Sequence, residues 1–292
     1  MDPVAALIHV GIGALLAAIV AFAGRGLRRA DPAVTVGLAL AFALGWNFVT
    51  QEGFPAWPLA AKWHSILIVA GGLGLLAAID GLIAERCSKF AYRIVANTIL
   101  AAALVGFALR LPDADMPGIQ FIAMGTLPFV LVPLAGLAVR ERRFSVPAAI
   151  SFCFAGLAGL CLEGGFAKLA VLCGSLGAAL GGIALLGLRW PVGLGVGGLA
   201  AALGLLVSFA AAGAAYYEGQ FPVWIWAMPV LALLLMLVAS SNKLAGKQKL
   251  AAVLRVALPA ALALARVGMA IAMGGGQTAS ESTTEYEIDY GG

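Results

Sequence analysis

The stretch LAVLCGSLGAALGGIALLGL, residues 169–188, has no charged residue and lies between Lys168 and Arg189. A helix of about 20 apolar residues crosses the hydrocarbon core of a bilayer, which is roughly 30 Å thick. Backbone polar groups in that core must be hydrogen-bonded within the protein, and a helix achieves this by itself. We therefore predict a transmembrane helix here, and similar stretches recur along the chain.

The composition of the 292-residue chain extends this interpretation to the whole protein. Hydrophobic residues make up 62% and charged residues 11%, whereas soluble domains average about 45–50% and about 25%. The net charge is only +4, and the 18 basic residues form no recognition stripe, which excludes nucleic-acid binding. The predicted fold class is all-α, a polytopic bundle of transmembrane helices with membrane lipids as its surroundings.

Charged and turn-forming residues divide the chain into about ten apolar segments with short connections. We expect residues 1–273 to form the transmembrane bundle and residues 274–292 to form an acidic C-terminal tail. The predicted spans cover residues 4–23, 34–49, 63–83, 94–109, 119–139, 145–162, 169–188, 192–215, 223–239 and 250–273.

The distribution of basic residues predicts the orientation of the bundle. If the N-terminus is outside, 14 of the 18 basic residues fall in or beside the loops of one side, which the positive-inside rule assigns to the cytoplasm. Ten of the 14 acidic residues fall on the other side. We expect both termini to be extracytoplasmic, and the short loops favour a bacterial inner membrane.

The spans are predicted to be built as helical hairpins, because basic clusters recur roughly every 55 residues. Two outer turns also share letters, namely EGFPAW at residues 52–57 and EGQFPVW at residues 218–224. Either an internal duplication or the ordinary spacing of a hairpin bundle explains this recurrence. Glycines such as Gly177 and Gly181 are expected to let neighbouring helices pack closely.

Five polar residues lie within the predicted spans and are candidates for substrate binding or for contacts between helices. For Arg266 three outcomes are open: it snorkels outward, contacts a lipid phosphate, or pairs with an acid of an outer turn. Asp80 is expected to reach the cytoplasmic interface or to pair there. The five candidates are Arg266, Asp80, Asn47, Asn97 and His64.

The sequence contains no motif that implies a catalytic group, a metal or a cofactor. The GxGxxG match at residues 193–198 lacks the preceding strand and the following acid that a dinucleotide site requires. Whether His9 and His64 converge on a ligand is left open. Cys161 and Cys173 flank one outer turn at depths that differ by about one helical turn, and we interpret both as packing residues.

The C-terminal tail differs in character from the rest of the chain. Tyr286, Ile288 and Tyr290 alternate with acidic residues, which is the periodicity of a β-strand. We expect this segment to dock on a partner protein in an extended conformation, by adding a strand to the edge of a sheet.

Three functions agree with these features. The first is a non-catalytic structural or accessory subunit that packs within a larger membrane complex, with other membrane-protein subunits as partners. The alternative is a carrier for a small neutral or hydrophobic solute. An intramembrane enzyme is the third, but it requires polar groups that the sequence does not reveal.

Overall fold

The structure is a computed structural model that describes most of the chain. The predicted first span, residues 4–23, lies outside the described residues except at four positions, which are helical. The predicted docking segment, with Tyr286, Ile288 and Tyr290, also lies outside them. The described residues are 8, 11, 12, 15, 32–54, 64–84, 89–108, 117–140, 144–189, 193–216, 221–240 and 248–274.

The described part of the chain is helical and contains no β-strand. This confirms the all-α class for these residues. From residue 32 onward the helices are α1 Pro32–Glu52, α2 Ser65–Ile83, α3 Phe90–Ala108, α4 Pro117–Arg140, α5 Ser145–Glu163, α6 Ala167–Arg189, α7 Gly195–Tyr216, α8 Val223–Ala232, α9 Leu235–Ala239 and α10 Gln248–Gly274.

Seven of these helices, α2 to α7 and α10, are long and apolar enough to cross a membrane. They identify the chain as an integral membrane protein built of helices. Most helix ends lie within a few residues of the predicted ends, because charged and turn-forming residues bound the apolar segments. The total of about ten spans and the positions of the termini remain predictions.

The predicted span at residues 223–239 is not one continuous helix, and this corrects the sequence interpretation. It consists of α8 and α9, interrupted at Leu233 and Leu234. Pro229 has no N–H to donate within α8. After it, backbone N–H groups donate to the carbonyl three residues earlier, as in a 3₁₀-helix. Leu233 N–H donates to Val230 O at 3.3 Å, and Leu234 N–H donates to Leu231 O at 3.0 Å.

The centre of the bundle is α7, which packs against α1, α2, α3, α4, α5 and α8. In an 18-residue stretch of α7, 94% of the residues are buried, against 22% in α10. Helix α6 packs on α5 and α1, and α10 packs on α5, α8 and α9. The core therefore surrounds one apolar helix, and α10 lies at the periphery.

Glycines let several of these helices approach each other closely, as the sequence predicted. A Cβ atom added at Gly74 of α2 would lie 3.0 Å from Gly37 O of α1. One added at Gly177 of α6 would lie 3.1 Å from Ser151 O of α5. Larger side chains at these positions would force the helix pairs apart.

A Schellman motif ends α5 and returns the chain into α6. Gly165 has φ +82°, a left-handed conformation that glycine adopts without the steric penalty of a Cβ atom. Phe166 N–H donates to Cys161 O at 2.9 Å, and Gly165 N–H donates to Leu162 O at 2.9 Å. The tight turn places the last residues of α5 beside the first turns of α6.

Candidate functional site

The five polar residues singled out from the sequence lie in separate parts of the bundle. Asp80 and Asn97 belong to one group with Arg93 and Gly197, which we call the Asp80 cluster. Arg266 lies among Cys153, Cys161, Cys173 and the carbonyl of Ile225, which we call the Arg266 cluster. His64 lies with Glu52 and Lys168 in a third group, which we call the His64 cluster, and Asn47 bonds within its own helix.

The Asp80 cluster joins three helices through one buried carboxylate. The Arg93 guanidinium donates twice, from Nε to Oδ1 at 2.9 Å and from Nη2 to Oδ2 at 2.6 Å. Asn97 Nδ2 donates to Oδ1 at 2.9 Å, and Gly197 N–H donates to Oδ2 at 3.0 Å. Asp80 is only 3% exposed, so these four donors replace its hydration.

Local sequence explains how each donor reaches Asp80. Arg93 and Asn97 are four residues apart and therefore lie on the same face of α3. Gly197 lies in the first turn of α7, where backbone N–H groups have no acceptor within the helix and favour a negative charge. The start of α7 is set by Gly195, whose φ is +62°.

The glycine-rich segment at residues 193–198 therefore has a structural role that the sequence did not reveal. A Cβ atom at Gly197 would lie 2.8 Å from Asp80 Cβ and 2.9 Å from Ala77 Cα. Only glycine at this position lets the N-terminus of α7 come within hydrogen-bond distance of the carboxylate. The Asp80 cluster therefore links α2, α3 and α7 through hydrogen bonds to one carboxylate.

The Arg266 cluster contains the most deeply buried cation of the described part of the chain. Arg266 is 0% exposed, and its Nη1 donates to Ile225 O at 3.3 Å. In a regular helix that carbonyl would accept from residue 229, but Pro229 has no N–H. Arg266 therefore supplies the donor that Pro229 lacks, which explains why it points inward instead of snorkelling to the membrane surface.

Three thiols also lie in the neighbourhood of Arg266. Its side chain lies within electrostatic range of Cys153, Cys161 and Cys173, and all three cysteines are 0% exposed. Among the described residues, Nε and Nη2 of Arg266 have no hydrogen-bond acceptor. The proximity of α10 to α5 follows from Gly156, where an added Cβ atom would lie 2.8 Å from Ala263 Cβ.

The His64 cluster lies at the ends of three helices. Lys168 at the start of α6 forms an ion pair with Glu52 at the end of α1. His64 immediately precedes α2 and packs edge-on against Phe48, with ring centroids 5.0 Å apart. Burial lowers the pKa of His64; Glu52 opposes this effect, and Lys168 adds to it. His9 lies outside the described residues, so its relation to His64 stays open.

Asn47 does not join any of these groups. It is 0% exposed, and its Nδ2 donates to Ala43 O at 2.9 Å in the preceding turn of α1. Among the described residues, its Oδ1 has no hydrogen-bond donor. Asp80 and Asn97 are thus the pair of sequence candidates that the structure joins by a direct hydrogen bond.

An apolar groove of about 340 Å³ lies between α4, α7 and α8. Its walls include Ala210, Ala211 and Trp226. The hydroxyl of Thr126 also faces the groove, but it donates to Ile122 O of its own helix at 2.7 Å. The lining of the groove is therefore apolar, and the three polar clusters described above lie elsewhere in the bundle.

The described residues contain no group of three or more His, Cys, Asp or Glu side chains that could hold a metal ion. The chain is defined by its apolar helices and by the buried hydrogen bonds between them. These features are typical of a polytopic membrane protein. No family model, curated protein or solved structure matches the chain.

Proposed function

We propose that this protein is a non-catalytic accessory subunit that packs within a larger assembly of a bacterial inner membrane, with both termini extracytoplasmic. The observation that carries the proposal is the exposed face of α10. This face presents small residues at helical spacing between larger apolar ones such as Leu264 and Ile271, in a helix of which little is buried against the rest of the chain. The small exposed residues are Ala257, Ala261, Ala265, Gly268 and Ala272.

Small residues matter because hydrophobic burial gives no net attraction between helices in lipid. Association there depends on close backbone approach and dispersion, which small side chains permit. Nothing lies within 4 Å of a Cβ atom built at Gly268, so a helix from another subunit has room to pack there. The expected occupant is a transmembrane helix of a different membrane protein.

The other peripheral helix, α3, provides a contrast within the same molecule. It is also largely unburied, with 28% of its stretch buried, but most of its exposed residues have large side chains. Large apolar side chains pack well against lipid tails and keep other backbones at a distance. Examples are Tyr92, Val95, Ile99, Leu100 and Phe107.

The filled centre of the bundle also supports a structural role. A carrier for a polar solute would need its buried polar groups to meet along a path. In the part of the chain that the structure describes, they lie in separate clusters around an apolar α7. Most of their hydrogen bonds join helices of this chain, which is what a scaffold requires.

Native purification with matched variants tests the proposal. The full chain would be extracted together with its surrounding lipid, and accompanying chains identified by mass spectrometry. We expect a defined partner with the wild type and its loss with Ala261→Phe or Gly268→Phe. The control Ala103→Phe, on the exposed face of α3, should leave recovery of the partner unchanged. Recovery of this chain alone, or equal loss with all three variants, would contradict the proposal.

A further inference from the structure

The apolar groove between α4, α7 and α8 begins near one end of all three helices. Its lining residues fall within positions 119–126 of α4, 207–214 of α7 and 223–230 of α8. The deepest ones on α4 and α7, Thr126 and Val207, are nine residues from the helix ends at Pro117 and Tyr216, which is about 14 Å at 1.5 Å per residue. The hydrocarbon layer of one leaflet is about half of a roughly 30 Å core. The groove therefore spans the depth of a single leaflet.

Small side chains on α7 form the floor of the groove. Ala210, Ala211 and Ala214 line it and are otherwise buried in the bundle. Helix α7 packs against both α4 and α8, whereas α4 and α8 contact each other much less. The two outer helices therefore diverge above a surface of alanine, and the space between them is left unfilled by side chains of this chain.

Trp226 forms a fixed wall of the groove. Its ring packs directly on Gly213 of α7, where an added Cβ atom would overlap it. The ring of Phe221 packs edge-on against the other side, with ring centroids 6.4 Å apart. Trp226 is only 1% exposed, so these neighbours hold its position. A preformed wall lowers the cost of binding, because little of the protein has to be ordered when a ligand enters.

The groove opens on the surface that faces lipid. Ile122 of α4 and Val223 of α8 line the groove and are also exposed. The neighbouring side chains of Phe121 and Trp224 are exposed as well. In an integral membrane protein such apolar side chains are covered by lipid tails. The groove is therefore continuous with the interface between the protein and the bilayer.

The size and chemistry of the groove distinguish its possible occupants. A helix with its side chains is about 10 Å wide, so a 10 Å length of helix fills roughly 800 Å³. The groove has a volume of about 340 Å³, which is too small for a helix of a partner protein. Its lining carries no charged side chain, so a polar solute would lose its hydration there without replacement. A single hydrocarbon chain has the required width and polarity.

We propose that the groove binds one acyl chain of a phospholipid from the leaflet that the charge pattern predicts to be extracytoplasmic. Hydrophobic burial gives no net attraction between two groups that are both in hydrocarbon. The chain is held by dispersion contacts with three walls, contacts that the lining would lose if the groove were empty. This lipid therefore leaves the protein more slowly than lipids at the rest of the surface.

Photo-crosslinking of retained lipid tests this proposal. The full-length protein is reconstituted in vesicles of a phosphatidylcholine whose acyl chains carry a diazirine, extracted with detergent, separated from free lipid and then irradiated. We expect native mass spectrometry to find one phospholipid per chain. Peptide mass spectrometry should locate the crosslink within residues 119–126, 207–214 or 223–230. Absence of retained lipid, or crosslinks mainly on other faces such as those of α3 and α10, would overturn the proposal.

Variants that fill the groove provide a second test. Ala211→Phe places a phenyl ring in the groove, and Ala227→Phe, at a half-buried lining position of α8, narrows its opening. Both should lose the retained lipid, because the ring takes the space of the chain. The matched control Ala103→Phe adds the same ring to the exposed face of α3 and should keep one lipid per chain.

Thermal unfolding in detergent shows which variants are folded. Retention of the lipid by the folded groove variants, or its loss from the control as well, would show that the lipid is held elsewhere. If neither groove variant folds, the position of the crosslink in the wild type decides the question.

Discussion

Single buried charges in this bundle depend on partners that are far away in sequence. Asp80 is separated from Arg93 by a loop and from Gly197 by 117 positions. The sequence showed that Asp80 must reach the interface or be paired, because a carboxylate in hydrocarbon is costly. It did not show the partners, since nothing in a sequence states which face of α7 meets α2.

At the residue scale, the Asp80 cluster predicts the effect of removing the carboxylate. Asp80→Asn removes the buried carboxylate that accepts two hydrogen bonds from the Arg93 guanidinium, and breaking a buried ion pair in this way costs about 3–5 kcal/mol. We expect a clearly lower midpoint of thermal unfolding in detergent. The double variant Asp80→Asn with Arg93→Gln should recover at least half of the loss. Equal midpoints for the single and the double variant would contradict this explanation.

The lowered pKa of His64 leads to a second prediction about a single residue, namely that the stability of the folded protein depends on pH. Its pKa is lowered in the folded protein by burial, so the unfolded chain takes up the proton first when the pH falls through about 6.5. Stability contributed by neutral His64 is fully present above that pH and is lost below it. Thermal unfolding of the wild type should therefore weaken between pH 7 and 5 more than that of His64→Gln. An equal weakening of the wild type and of His64→Gln over this pH range would contradict the assignment to His64.

At the scale of elements, Pro229 in α8 and Arg266 in α10 are predicted to be energetically coupled. Pro229→Ala restores an N–H that can donate to Ile225 O, so Arg266 is no longer needed there. We expect Arg266→Leu to destabilise the protein less in the Pro229→Ala background than in the wild type. A double-mutant cycle measured by thermal unfolding should give a coupling of about 0.5–3 kcal/mol. Additive effects would show that Arg266 serves another group.

The start of α7 gives a second prediction about elements. Gly197→Ala puts a methyl group against Asp80 and Ala77, and overpacking of this kind costs about 1–3 kcal/mol. The matched control is Gly125→Ala in α4, where nothing lies within 4 Å of the added Cβ atom. The control should leave the unfolding midpoint unchanged or raise it, because alanine favours helix over glycine. A similar decrease in the unfolding midpoint of both variants would contradict the explanation that Gly197 is needed for the close approach of α7 to α2.

At the scale of the whole molecule, the orientation of the bundle is open to a direct test. A C-terminal alkaline phosphatase fusion should be active and a C-terminal green fluorescent protein fusion dark, because the tail is predicted to lie outside. The same reporters inserted at residues 141–143 should give the opposite result, since that loop carries basic residues. Fluorescence of the C-terminal fusion would reverse the predicted topology.

The apolar segments and most of their ends were determined by the sequence alone. Lipid offers the backbone no hydrogen bonds, so each segment must satisfy its own N–H and C=O groups as a helix, and local composition records this requirement. The tertiary structure alone decided the inward direction of Arg266 and the meeting of Gly197 with Asp80. Each of these depends on how distant helices pack, which no local stretch of sequence encodes.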